Sequence, residues 1–475
     1  MNLHLAVILA YAGLLMAVGL WYGRRVAGPG DFFVAGRRLG PGLLFATLLA
    51  ANIGAGSTMG AAALGYRDGL SAWWWVGSAG IGSLFLAFWV GPRLRRLAEA
   101  HDLQTVGDFL EHRYGREVRA LIAALLWVAT LAILAGQIIA MGAVLHAVSG
   151  LDPWVGSLVG GAAVTVYFTA GGLLTSVRVN AVQLVVLLAG FLVVSPLVLA
   201  SVGGLSQVAA ETRGIDGYWN PWRGGGSGWF LLVMIGPSFI VSPGILQRVY
   251  AARDDRAVRL GVGLNAAALL VFAAAPALLG MMARTVAPDL DDHNLALPTV
   301  LIETLPPLLG ALGLAAVFSA ELSSADAILF MLATSLSRDL YARFLNPGAD
   351  DARVLRVARG AAVAGGAGAT ALAIALSSII TALTIFYTVL TVTLFVPVIV
   401  GLYVGRVRTP EVVASIAAGV TVFAAVRLAG GEDGLAGLDP AMIGLGAALA
   451  ATLAVMAVRR PAAGGAHERA DRRGA

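Results

Sequence analysis

The sequence predicts an all-α polytopic membrane protein with about 13 transmembrane helices. Three observations carry that prediction. Of 475 residues, 59% are hydrophobic and 12% are charged, roughly half the charged share of a soluble chain. Apolar runs long enough to cross a hydrocarbon layer of ~30 Å recur along the whole chain. The arginines alternate between loops, so that of 32 basic residues only Arg67, Arg213, Arg223, Arg284 and Arg427 fall on the second side. The positive-inside rule makes the first side cytoplasmic, which predicts an outside N-terminus and a cytoplasmic C-terminus.

Taken in order, the expected spans are 3–22, 41–66, 70–91, 119–147, 153–171, 181–203, 228–247, 260–283, 307–335, 357–379, 382–404, 411–430 and 439–458. The first lacks a basic n-region and a small-residue cleavage site, so it reads as a span and not a removable signal. The second carries AANIGAGST at 50–58. Glycine costs a helix roughly 1 kcal/mol against alanine. Gly54 and Gly56 beside Asn52, Ser57 and Thr58 therefore predict a helix that opens at mid-membrane. Carbonyls freed there persist only against protein or a cavity that holds an ion or solute. In the loop that follows the third span, Thr105 with Asp108 reads as a helix N-cap. Val106, Phe109 and Leu110 give that short cytoplasmic helix one apolar face. The outer loop 204–227 holds Tyr218, Trp219 and Trp222, aromatics that suit the headgroup level. Asp289, Asp291 and Asp292 read as a solvated face. The tail from Pro461 reads as disordered.

The seventh span is a second interrupted helix. Gly236-Pro237 and Pro243-Gly244 bracket Ser238 and Ser242, and proline removes a backbone donor. Spans 2–6 and 7–11 each open on an interrupted segment, and five is odd, so the second set runs upside down. Matching interruptions in inverted halves point to a transporter binding site.

The ninth span reads FSAELSSADAILFMLATSLSRDLY over 318–341. Ionisable groups at that depth usually face the bundle interior. Ala320, Ser323 and Ser324 share one helix face. Two hydroxyls and a carbonyl there, with carbonyls from the broken second span, make about five oxygens, the donor set a hard cation such as Na⁺ wants. The competing reading, serines bonded back to their own helix, holds for single serines but not for the group facing a break.

At these residues the chain resembles the sodium/solute symporter family, the sodium-coupled sugar, proline and pantothenate carriers. The matching pieces are LLAANIGAGS in the second span, TVGDFLEHRYG at 105–115, YFTAGGLLTSVRVNAVQ at 167–183, ILQRVYAARD at 245–254 and AELSSADAILFMLATSLSRDLY at 320–341. The resemblance implies a LeuT-type fold built as a five-plus-five inverted repeat. Residues 1–40 would then be an extra helix and cytoplasmic loop, 41–408 a ten-helix transport core, 409–458 two C-terminal helices and 459–475 a tail. It also implies that the sodium ligands are the carbonyls of Ala50, Ile53 and Ala320 and the hydroxyls of Ser323 and Ser324. Many relatives read Thr-Asp where this chain has Val179-Asn180, which puts a second sodium in doubt. Glu321 stands where many relatives are neutral, so Glu321 or Asp326 is a candidate proton or charge site. Candidate solute contacts are Asn52, Ser57, Thr58, Ser238 and Ser242, with Tyr387 as a gate. Trp73, Trp74, Trp75 and Val76 occupy the place where sugar carriers put a polar residue, which argues against a sugar.

The function expected is Na⁺-coupled symport of a small polar organic solute by alternating access, in the cell inner (plasma) membrane. The expected partners are that solute, Na⁺ and the lipid bilayer, with no cofactor, no nucleic acid and no obligate protein partner. One alternative is H⁺ coupling through Glu321 or Asp326. Another is a membrane sensor built on this fold, against which the short tail argues. No cysteine is present, which excludes disulfides and thiolate chemistry. The six histidines are dispersed and there is no GxSxG, so nothing points to an intramembrane enzyme.

Overall fold

The computed structural model describes residues 3–23, 39–376, 378–431, 435 and 438–459. The expected loop 24–38 and the tail from 460 lie outside them. Among the described residues nine helices are long and apolar enough to cross a membrane, and ten if one bent pair counts as a span. Shorter apolar helices cover Leu3–Leu15, Pro41–Asn52 and Pro153–Val166. The count of thirteen is therefore an expectation that the helices approach but do not reproduce one for one.

Helix α1 (Leu3–Gly23) is followed by α2 (Pro41–Asn52), a π-helical turn (Gly56–Gly60) and α3 (Ala61–Asp68). Then come α4 (Trp73–Phe85), α5 (Gly91–Ala100), the short α6 (Val106–Tyr114) and α7 (Arg116–Ser149). Helix α8 runs unbroken over Pro153–Ser201, where the sequence expects two spans divided at Arg178. Its 49 residues make ~73 Å of helix at 1.5 Å per residue, more than one crossing needs. After α9 (Gly204–Glu211) a two-stranded hairpin, β1 (Arg223–Gly224) and β2 (Ser227–Gly228), leads to α10 (Leu231–Val241) and α11 (Pro243–Tyr250). The rest are α12 (Asp255–Phe272), α13 (Ala274–Val286), α14 (Ala296–Thr304), α15 (Pro307–Thr334), α16 (Asp351–Leu376), α17 (Ile379–Leu390), α18 (Val396–Tyr403), α19 (Thr409–Gly430) and α20 (Pro440–Val458).

Both expected interruptions are present. Helix α2 stops at Asn52, and Ile53 is extended, with φ −99° and ψ 102°. The second break falls at Ser242, φ −53° and ψ 124°, and bends α10 against α11 by 41°. Pro243 forces it there, because the residue before a proline is driven out of the helical region. Pro237, which the sequence also marks, stays inside α10.

Small residues let the helices approach at backbone contact. A Cβ on Gly82 would meet the backbone of Gly236, which sets α4 against α10. One on Gly156 would meet the backbone of Gly142, which sets α8 against α7. Close approach of this kind replaces the hydrophobic drive that lipid does not supply. Helix α1 docks beside α15, where the Tyr11 hydroxyl donates to Ser319 Oγ at 2.7 Å.

At the arginine-rich end, α6 has the expected cap. Thr105 Oγ1 accepts from Asp108 N at 3.1 Å, and the Asp108 carboxylate accepts from Thr105 N at 2.9 Å. Val106, Phe109 and Leu110 are buried. Arg119 at the start of α7 pairs with Asp108 at 2.9 Å, Glu111 at 2.8 Å and Asp339, the last on the π-helical continuation of α15. Arg343 on that continuation also donates to Glu111. The Arg343 and Arg119 guanidiniums hold the Glu111 carboxyl down at about 2, from an ordinary 4.5. A depressed carboxyl stabilises the folded chain above its unfolded value and loses that contribution as pH falls through its folded value. The thermal midpoint of the wild type is thus expected to fall more steeply between pH 4.5 and 2 than that of Glu111→Gln. Equal slopes would exclude this clamp.

At the other end the loop aromatics depart from the headgroup expectation. Tyr218 is buried, and its hydroxyl lies 2.8 Å from the Gly65 carbonyl and 3.0 Å from that of Tyr66, so it caps the end of α3. Trp219 Nε1 donates to Thr212 Oγ1 at 2.9 Å, while Trp222 is exposed. Asp68 is buried beneath the hairpin and accepts from Gly226 N at 3.1 Å, from Ser227 Oγ and from Arg67 at 2.7 Å. Asp292, expected in a solvated face, caps the Asn294 N–H at 2.9 Å.

Candidate ion and solute site

The break after α2 has an identifiable cause. In an unbroken helix the N–H groups of Gly54 and Ala55 would bond the carbonyls of Ala50 and Ala51. Here Gly54 N donates to Ser57 Oγ at 2.9 Å, and Ala55 N donates to Gln137 Oε1 on α7 at 2.9 Å. Two side chains thus take the donors, and the Ala50 carbonyl loses its helical partner. Only glycine fits at 54. A Cβ there would lie 2.7 Å from Gln137 Oε1 and closer still to Ser324 Oγ.

Helix α15 faces this gap. Ser323 Oγ lies 3.2 Å from the Ala50 carbonyl and 3.1 Å from the Ala320 carbonyl. Ser324 Oγ donates to the Ile53 carbonyl at 3.1 Å. The five expected oxygens, those of Ala50, Ile53, Ala320, Ser323 and Ser324, therefore come together across two elements 270 residues apart in sequence (roughly). Three are neutral carbonyls and two are hydroxyls, and a hydroxyl has two acceptor lone pairs besides its single proton. Ser323 has one proton for two carbonyls, so the cluster carries more acceptors than donors. That imbalance is the condition a bare cation relieves.

Beside the cluster lies a cavity of about 80 Å³. Asn52, Ser57, Ser238, Ser242 and Tyr387, five of the candidate residues, line it, and Ser324 borders both sites. Asn52 Nδ2 also donates to Asn265 Oδ1 at 3.2 Å, and Ser238 Oγ bonds back to the Ile235 carbonyl at 2.7 Å. Thr58 departs from expectation. It is fully buried, is absent from the cavity wall, and its Oγ1 lies 2.9 Å from both the Gly54 carbonyl and Glu321 Oε1. Its place inside the π-helical turn aims it at α15 instead of the cavity. Glu321 and Asp326 are both buried on α15. Asn180 falls in the part of α8 whose side chains are not described.

Three wall residues, Gln137, Phe239 and Arg248, escaped the sequence reading. Gln137 was a lone amide in a long apolar run, which was its only signal. Trp75 packs edge-on to Tyr387 at 5.7 Å between ring centroids, and Phe239 meets Tyr387 at 5.8 Å. The Trp run is thus divided: Trp73 Nε1 donates to the Leu270 carbonyl at 3.2 Å, Trp74 Nε1 to that of Pro221 at 2.8 Å, and Trp75 closes the aromatic group. The third is Arg248, on the arginine-rich side of the cavity.

Comparisons with known proteins bear on the family and the fold. The profile described as the sodium:solute symporter family matches residues 32–419. The uncharacterized symporter YidK of Escherichia coli (strain K12) is 26% identical over 379 residues, covering 74% of this chain and 66% of the relative. The sodium/pantothenate symporter of Escherichia coli (strain K12) is 26% identical over 325 residues, 66% of each. The chain thus spans just under two thirds of these relatives' own lengths. Among solved structures, a Na⁺-coupled sialic acid symporter in a substrate-bound outward-open state superposes with a TM-score of 0.80 at 18% identity. It covers 97% of this chain and 99% of that one. This places the fold among LeuT-type transporters.

Proposed function

We propose that this chain, which belongs to the sodium:solute symporter family, couples inward Na⁺ movement to the uptake of a small polar organic solute by alternating access. It does so as a multi-pass protein of the plasma membrane, with its N-terminus outside and its arginine-rich loops inside. The observation that carries the reading is the meeting of the Ala50 and Ile53 carbonyls with Ser323 and Ser324 across a broken helix. These four oxygens and the Ala320 carbonyl hold Na⁺ as cargo.

The coupling follows from shared walls. Ser324 belongs to both the oxygen cluster and the solute cavity, and Gly54 and Ser57 bring the break to the cavity edge. Na⁺ that draws the carbonyls of the break toward α15 fixes the cavity wall, so each ligand binds better when the other is present. Each Na⁺ that enters gains ~2.3 kcal/mol per 100 mV of membrane potential. Phe239 and Tyr387 line the cavity, and Trp75 packs against Tyr387 behind them.

The test is uptake by proteoliposomes screened across small polar solutes under imposed gradients. Accumulation that requires an inward Na⁺ gradient is the expected result. Accumulation that proceeds on an inward H⁺ gradient without Na⁺ would replace this reading with proton coupling through Glu321 or Asp326.

A further inference from the structure

The broken helix meets α15 at two places. Before and at the break, the carbonyls of Ala50 and Ile53 face Ser323 and Ser324. Past the break, inside the π-helical turn, Thr58 Oγ1 lies 2.9 Å from Glu321 Oε1, three residues before Ser324. Both side chains are fully buried. Among the described residues that hydroxyl is the one hydrogen-bond partner of the Glu321 carboxyl, and Oε2 is buried without any. Neither Thr58 nor Glu321 lines the solute cavity.

The contact reaches the break through a short chain of bonds. Thr58 Oγ1 is also 2.9 Å from the Gly54 carbonyl, which accepts from Ser57 N and Thr58 N at 3.0 Å. Gly54 N is one of the two donors whose diversion opens the helix. Fixing Thr58 therefore fixes the first turn past the break, and with it the direction of the Ile53 carbonyl. Gly54, Gly56 and Gly60 leave this stretch of backbone freer than ordinary residues would, so it needs an outside hold. Carbonyls held in advance take up a cation without first being ordered, a cost that otherwise comes off the affinity.

We propose that Glu321 is a positioning residue for the ion site. Its carboxyl latches the turn past the break to α15 through Thr58, and so keeps the carbonyls at the break set for Na⁺. What the carboxyl contributes is a hydrogen bond and not a charge. This inference rests on the symport reading and deepens it.

The test is equilibrium binding of radioactive sodium to the purified full-length chain, read as a dissociation constant and a number of sites. Glu321→Leu and Thr58→Val stay close to the native volume and remove the bond. Each is expected to raise the dissociation constant roughly fivefold with the number of sites unchanged. The double variant is expected to be no weaker than the weaker single one, because both remove the same contact. Glu321→Gln can still bond the Thr58 hydroxyl and is expected to stay within about twofold of the wild type. The proposal is overturned if Glu321→Gln binds as weakly as Glu321→Leu, which would give the carboxyl a charge role. It is also overturned if the two single effects multiply in the double variant, or if either single variant binds like the wild type. Fewer sites at unchanged affinity would reduce the contact to a folding role and overturn it as well. Should Glu321→Leu fail to fold, Thr58→Val beside Thr58→Ser, which keeps the hydroxyl, decides: weaker binding by the valine variant alone is expected, and any other order overturns the latch. Absence of saturable binding in the wild type would remove the symport reading itself, and this inference with it.

Discussion

Ser323→Ala combined with Ser324→Ala is expected to raise the Na⁺ concentration for half-maximal uptake by at least roughly a hundredfold, since each lost bond to a charged group costs about 1.5–3 kcal/mol. The two hydroxyls are the α15 half of the cluster that faces the break, 3.2 Å from the Ala50 carbonyl and 3.1 Å from that of Ile53. Alanine keeps the helix and removes only the oxygens. Both serines are buried by neighbours that remain in place, so the chain is expected to reach the membrane in normal amount. The measurement is initial uptake rate against Na⁺ concentration in proteoliposomes. An unchanged Na⁺ requirement in the double variant would remove the ion site from α15.

Gly54→Ala is expected to lower uptake by roughly tenfold or more, by a different route. Overpacking by one methyl in a close-packed site costs about 1–3 kcal/mol. Here the added carbon meets Ser324 Oγ on one side and, at 2.7 Å, Gln137 Oε1 on the other. If Ser324 yields, the Ile53 carbonyl loses its neighbour; if Gln137 yields, the Ala55 N–H loses its acceptor and the break loses its support. Gly446, which has nothing within 4 Å of an added Cβ, is the control position. Wild-type uptake by Gly54→Ala would show that the break tolerates the displacement and that its geometry is not what tunes the site.

The two interruptions were legible because their cause is local. Gly54 and Gly56 in an apolar run, and Pro243 after Ser242, disfavour the helix whatever surrounds them. The Thr105 cap was legible for the same reason. The face shared by Ser323 and Ser324 follows from helical spacing alone. Which carbonyls the break frees was not legible from spacing. That depends on Gln137, some eighty residues away, reaching Ala55 N, and on Ser57 folding back to Gly54 N. The resemblance supplied Ala50 and Ile53; the diversion of Gly54 N supplies the physical reason for Ala50, and that of Ser57 N, which bonds the Gly54 carbonyl at 3.0 Å, the reason for Ile53. Arg248 was hidden among the loop arginines, since only packing distinguishes a cation on a cavity wall from one at a membrane edge. Tyr218 was assigned to the interface on composition, and the open carbonyls at the end of α3 claimed it instead. Thr58 shares a polar run with Ser57, but the π-helical turn sends the two side chains different ways.

The most direct measurement is equilibrium binding of radioactive sodium to the purified chain, wild type beside the Ser323→Ala, Ser324→Ala double variant, with potassium as competitor. Saturable binding that potassium does not displace and that the double variant loses is the predicted result. Absence of saturable binding in the wild type, or equal binding by both proteins, would contradict an alkali-ion site made by a parted helix and two neighbouring serines.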